Sequence, residues 1–161
     1  MNSDINPNNL RQITREIVSG LIFSADNKLL MGKKDPSKGG VYSDCWHIPG
    51  GGVDEGEDKM TTLKREIFEE TNLKVDDAVI ELVDDKGHGA TEKTLKPTGE
   101  KVWCNMNFNV YSVRLNQNAE DIDLNPSDDL VELKWFTMSE LKDVKLTPPS
   151  VELFKRLGYI N

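Results

Sequence analysis

No apolar run in this sequence approaches the ~20 residues that a membrane-spanning helix requires. Its first residues, Met1-Asn2-Ser3-Asp4-Ile5-Asn6-Pro7, lack the basic start and apolar stretch of a secretory signal. Cytoplasmic residence with no membrane partner is therefore the expectation. Cysteine is equally scarce: Cys45 and Cys104 lie far apart, outside any CxxC or Cys/His group. That spacing excludes a disulfide framework and a zinc site, and leaves two reduced thiols that fill space. An excess of positive charge is also missing. With 20 Lys and Arg against 28 Asp and Glu, the net charge is −8, and such a surface repels a phosphate backbone, so no nucleic acid polymer is expected as partner. A small phosphate ester stays compatible if a cation neutralises both sides.

What is present fits one domain. The 161 residues are 37% hydrophobic and 30% charged, and a chain of this size buries roughly 70% of its unfolded surface. Residues 1–14 read as a flexible or loosely docked lead-in. Ile17 to Phe23 is rich in β-branched and apolar residues, Ser24-Ala25-Asp26-Asn27 has hairpin-turn chemistry, and Leu29-Leu30-Met31 reads as the returning strand. Residues 35–44 form a loop. Trp46 to Pro49 reads as a short strand that runs into Gly50, Gly51 and Gly52, where the chain must turn sharply or let something approach its backbone.

From Asp58 to Thr71 the pattern becomes helical, with Met60, Leu63 and Ile67 on one core-facing stripe. Val75 to Val83 is a candidate strand, and residues 86–100 read as a long polar loop, either a lid or disordered. Lys101 to Leu115 alternates as a strand, and residues 116–129 form an acidic loop before the strand Val131–Phe136. Ser139 is a candidate cap for a short helical turn, and Pro148-Pro149 introduces a closing helix to about Leu157. Paired strands with one central and one terminal helix imply an α/β fold with a mixed sheet covered on both faces.

The chemistry concentrates on the central helix. Glu66, Glu69 and Glu70 stand at i, i+3 and i+4, which places them on one side with neighbouring β-carbons about 5–6 Å apart. Like charges so placed weaken a helix unless a cation sits among them. Oxygen ligands without His or Cys favour a hard ion, and magnesium typically uses a few carboxylates while also holding phosphate oxygens. A glutamate run alone is more often a solvated face, so the surrounding residues decide. Gly51 is followed after five residues by Glu57, and after seven more by Arg65-Glu66-Ile67-Phe68-Glu69-Glu70-Thr71-Asn72-Leu73.

This segment resembles the signature of the Nudix hydrolases, in which Gly, five residues, Glu and seven residues precede Arg-Glu-hydrophobic-any-Glu-Glu-any-Gly-hydrophobic. Chance would produce so many fixed matches less than roughly once in a hundred thousand chains of this length. The departure is Asn72 where the family has Gly; Asn tolerates the left-handed conformation that ends a helix, at a cost of ~1 kcal/mol.

The resemblance implies a Nudix-type α/β/α sandwich, a divalent metal (magnesium, with manganese as an alternative), and hydrolysis of the diphosphate link of a nucleoside diphosphate derivative. It carries the metal ligands onto Glu66, Glu69, Glu70 and the Gly50 carbonyl, with Glu69 and Glu70 as the catalytic pair. Gly51, Glu57 and Arg65 fall on positions that brace loop and helix, where an arginine fork pins a carboxylate at two points. A simple i, i+4 pair of Arg65 with Glu69 is the plainer alternative. In several members the base that activates water lies on a loop before the late strand, where this chain has Asp128, Asp129 and Glu132; Asp129 is the candidate, set against an ordinary acidic surface loop.

Beyond the box, Lys33 and Lys34 are candidate phosphate contacts or merely solvated lysines. Trp46 could stack on a base or fill the core, His47, alone, defines no site, and Trp103, Phe108 and Trp135 read as core or pocket wall. A (d)NTP releasing pyrophosphate is the preferred substrate. ADP-ribose or a nucleotide sugar is the alternative, and an inactive nucleotide-binding module the rival of another class. Monomer and homodimer both stay open.

Overall fold

The computed structural model describes residues 9–38, 42–127 and 130–161. Along the chain run β1 (Arg11–Phe23), β2 (Leu29–Lys34), β3 (Gly50–Gly52), α1 (Lys59–Thr71), β4 (Val79–Thr94), β5 (Lys101–Arg114), β6 (Leu130–Phe136) and α2 (Pro148–Arg156). Six strands make one sheet in the order β4-β5-β1-β2-β6, with β3 pairing β1 off that path. Strands β1 and β5 are parallel, and the other pairs are antiparallel. The sheet is therefore mixed, and a helix covers each face.

Strand β1 lies in the middle of the sheet, which explains why its second half is buried at consecutive positions from Gly20 to Phe23. Alternate residues feed two cores. Val18 and Ile22 pack with Leu30, Val113 and the α1 residues Leu63 and Ile67. Leu21 and Phe23 point the other way, to Met31, Val110 and the α2 residues Leu153 and Phe154. Helix α1 comes very close: a Cβ on Gly20 would sit 3.1 Å from Ile67 Cδ1. At its N-terminus, Asp58 accepts from Thr61 N–H at 2.7 Å, and the Lys59 ammonium donates to Asn109 on β5 at 3.2 Å.

Several expectations from the sequence are corrected. Arg11 to Thr14, read as lead-in, belong to β1 and pair with Val102 to Asn105. The supposed loop 86–100 is mostly strand: β4 reaches Thr94 against β5, with register shifts around Asp84. Those irregularities turn Asp84 inward, where Arg156 of α2 donates to both carboxylate oxygens at 3.2 and 2.9 Å. That fork holds the Asp84 carboxyl below its usual range.

Of the two readings of the glycines after Pro49, the sharp turn fails, since they are strand β3 itself, paired with Ile17 to Ser19 and without positive φ. The close approach holds, since a Cβ on Gly50 or Gly51 would lie 2.2 Å from Val18 O or 2.4 Å from the Glu66 carboxylate carbon. Strand formation after α1 starts at Val79 rather than Val75, and Thr137, not Ser139, caps the short 3₁₀ segment, its N–H donating to the Glu140 carboxylate at 2.7 Å. Asn72 does take the left-handed conformation, at φ 63°. Both cysteines are buried free thiols.

Candidate active site

Strand β3 lies between β1 and the last turns of α1, so the box folds back on itself as strand, loop and helix. Its loop is fastened by Arg65. The guanidinium donates to both Glu57 oxygens at 2.8 and 3.0 Å, and Thr62 Oγ1 donates to the same carboxylate at 2.8 Å. Together these bonds hold Glu57 down to a pKa of about 2. The other edge of Arg65 reaches Glu66 at 3.1 Å and Glu69 at 3.1 and 3.2 Å. Arg65 thus braces the loop and also makes the i, i+4 pair.

Because Glu57 titrates well below the ordinary 4.5, the folded state favours its ionised form. Its contribution is complete above pH ~4.5 and is lost as pH falls toward ~2. Thermal midpoints measured across that window are expected to decline, and Glu57→Gln should remove part of the slope. An unchanged slope in the variant would mean that the latch adds nothing to stability.

The three glutamates share a helix face but not an environment. Glu70 is buried and accepts from Gly50 N–H at 2.9 Å. Glu66 packs so tightly over β3 that a Cβ on Gly51 would lie 2.4 Å from its carboxylate carbon. Glu69 is 42% exposed and leans on Arg65. Among the described residues, no three His, Cys, Asp or Glu side chains gather as a metal-ligand group. The expected crowding is relieved because like charges spread until each finds a donor, here Arg65 or a β3 amide. The donor set nonetheless fits a hard divalent cation: the Glu66 and Glu70 carboxylates, both oxygen donors, come against the Gly50-Gly51 main chain.

Beside this point opens a cleft of about 330 Å³, whose lining includes Glu70, Gly50 and Gly51 of the box, Lys34 of β2, Ile17 of β1 and Phe108 of β5. Its size suits a small ligand. Lys34 lines it; Lys33 does not, and instead sits 4.9 Å from the Trp46 ring centroid. Trp46 packs edge-on against Phe136 at 4.9 Å, on the α2 core. Asp128 and Asp129 lie outside the described residues, while Glu132 is exposed on β6.

Phe108, one of the aromatics read as core or pocket wall, lines the cleft, as does the lone His47; Tyr42 and Thr147 line it too and carried no signal in the sequence. Alternation along β5 gives the one available signal for Phe108. Its ring lies against β4, where Cβ atoms on Gly87 and Gly89 would come within 3.4 and 3.2 Å of it. Those glycines leave the ring open to the cleft.

The fold and this box define a class, and the NUDIX domain profile matches residues 14–157. The chain belongs to the Nudix family and is a Nudix hydrolase, acting on pyrophosphate linkages. Among curated proteins it is similar to the RNA pyrophosphohydrolase of Rhodopseudomonas palustris strain BisB18, at 24% identity over 81% of this chain and 78% of that one. The RNA pyrophosphohydrolase of Bartonella quintana is 34% identical over 46% of this chain, and the match spans only 43% of that protein's length.

Solved structures share the fold. The Nudix hydrolase RenU of M. smegmatis superposes with a TM-score of 0.69 at 15% identity, covering 90% of this chain and 84% of that one. The MutT protein of Methanosarcina mazei Go1 gives 0.62 at 19% identity, covering 91% and 94%. Nudix hydrolases work with divalent metal ions. No helix among the described residues is long and apolar enough to cross a membrane.

Proposed function

We propose that this chain is a magnesium-dependent hydrolase of (d)NTPs that releases pyrophosphate. The observation that carries the reading is the cleft, whose lining combines Glu70, the β3 backbone and Lys34 with the apolar side chains Ile17 and Phe108. Ile17 pairs with Gly52 on one side and Phe108 on the other, so Phe108 lies across β1 from the box. That combination suits a nucleotide, which needs charged groups for its phosphates and a flat apolar face for its base. Glu66, Glu69, Glu70 and the Gly50 carbonyl would hold the metal. When bound, the ion would neutralise phosphoryl charge and ease deprotonation of a water; manganese would serve in the same ligand set.

The chain's own residues do the rest. Arg65 keeps Glu66 and Glu69 in place and fastens the loop through Glu57. Lys34 meets terminal phosphate as a point charge, and Asp129 is the proposed base. Phe108 stacks the nucleobase, a contact worth ~1–3 kcal/mol. Phe108→Ala is therefore expected to raise KM about tenfold while kcat changes little, as read from steady-state kinetics on the best nucleotide. A lowered kcat with constant KM would remove Phe108 from base binding.

A second reading takes 5′-triphosphorylated RNA as substrate, favoured by the names of the curated relatives. The net charge of −8 opposes it, and Lys34 is the one Lys or Arg among the described residues lining the cleft. The deciding experiment is a substrate panel with and without magnesium, resolved by ion-exchange chromatography. Nucleoside monophosphate plus pyrophosphate from a (d)NTP is the expected product pattern. AMP plus ribose phosphate from ADP-ribose, or turnover of triphosphorylated RNA with free nucleotides untouched, overturns it.

A further inference from the structure

Asn72, the position at which the chain departs from the family's box, is also where α1 meets a distant loop. Its φ of 63° would suit glycine equally. Glycine, however, has no side chain. The Asn72 amide donates to the Asn125 carbonyl at 2.7 Å and lies 3.4 Å from Ser127 Oγ. Ser127 then bonds the end of the helix twice: its hydroxyl donates to the Glu69 carbonyl, and its backbone N–H donates to the Glu70 carbonyl at 3.1 Å. The last four carbonyls of a helix have no partner within it, so the loop supplies donors that α1 itself cannot.

We infer that Asn72 is a positioning residue: by tying residues 125–127 to the end of α1, it lets Ser127 hold the turn that carries Glu69 and Glu70. The inference rests on the reading of α1 as the metal-bearing helix. Helix ends fray, and a catalytic constellation tolerates only about 0.5 Å of play. The Asn125–Ser127 clamp removes that play at the two glutamates nearest the helix end. Replacing the family's glycine with asparagine here trades backbone freedom for a tether.

Two variants separate the tether from the helix stop. Asn72→Gly keeps the left-handed conformation and deletes the side chain. Asn72→Asp keeps its shape and also tolerates positive φ, yet cannot donate to Asn125. Both would be compared with the parent in kcat and KM on the preferred nucleotide, in Mn²⁺ binding to nucleotide-free protein by electron paramagnetic resonance, and in thermal midpoint. The expected result is a loss of about tenfold in kcat and in Mn²⁺ affinity, the scale of outer-sphere effects on metal sites. KM should stay within about twofold, and Asn72→Gly should melt close to the parent.

Parent-like kcat and Mn²⁺ affinity in both variants would reduce Asn72 to a helix stop and overturn the proposal. So would losses that merely track the unfolded fraction at the assay temperature. If the parent itself neither binds Mn²⁺ nor hydrolyses any nucleotide, the reading of α1 fails and the tether's role falls with it.

Discussion

Glu70→Gln is expected to lower turnover by about 10³-fold at saturating magnesium, while the protein stays folded. Glutamine keeps the size of glutamate and an oxygen that can accept from Gly50 N–H, the bond that glutamate makes at 2.9 Å. What it loses is the negative charge that completes a divalent site. Several kcal/mol of transition-state stabilisation pass through such a site, and ~4 kcal/mol corresponds to about three powers of ten in rate. Steady-state kinetics with a circular dichroism spectrum and a melt is the check. A variant that retains a tenth of parental activity would show that Glu70 is not a ligand on which catalysis depends.

Gly51→Ala should cost about 10²-fold in kcat, through a single methyl group. The backbone at Gly51 does not require glycine, since its φ is not positive. The obstacle is Glu66, whose carboxylate carbon would lie 2.4 Å from the new Cβ. The carboxylate must move, and a displacement near 1 Å in a catalytic constellation can cost two powers of ten. Gly52→Ala provides the contrast. Its Cβ would meet the Arg15 guanidinium at 2.2 Å, the far end of a flexible side chain that can swing away, so a smaller loss is expected. Equal activities for the two variants would remove Glu66 from the proposed ligand set.

The parts of the molecule legible in the sequence are those fixed by local spacing. The α1 stripe of Leu63 and Ile67 is fully buried, Asp58 caps the helix, and Asn72 ends it in the left-handed region. Each depends on residues within a turn or two. Only the first part of β4 was legible, because its polar, glycine-containing second half is a strand only by virtue of β5. Gly87 and Gly89 carry the composition of a loop, yet they face Phe108 across the ladder.

The same applies to Arg11–Thr14, whose partners are on β5. For Phe108 the sequence left core and pocket wall undivided, because an aromatic on an alternating strand suits either until its neighbours on β4 are seen to be glycines. The divergence of the glutamates also escaped, since spacing places side chains on a face but does not say which donor each will find. Trp46 shows the converse: nothing near it in the sequence announces Phe136, which packs edge-on against it at 4.9 Å.

The side-by-side pairing of the first and fifth strands has a consequence for synthesis. Gln12 bonds Asn105, 93 positions later, so at ~5–20 residues per second the emerging N-terminal strand waits roughly 5–20 s for its neighbour. Throughout that interval Leu21, Ile22 and Phe23 have one flank without its native strand. The nascent chain therefore carries an adhesive segment that the ribosome-bound state must shelter, and slower translation lengthens the hazard.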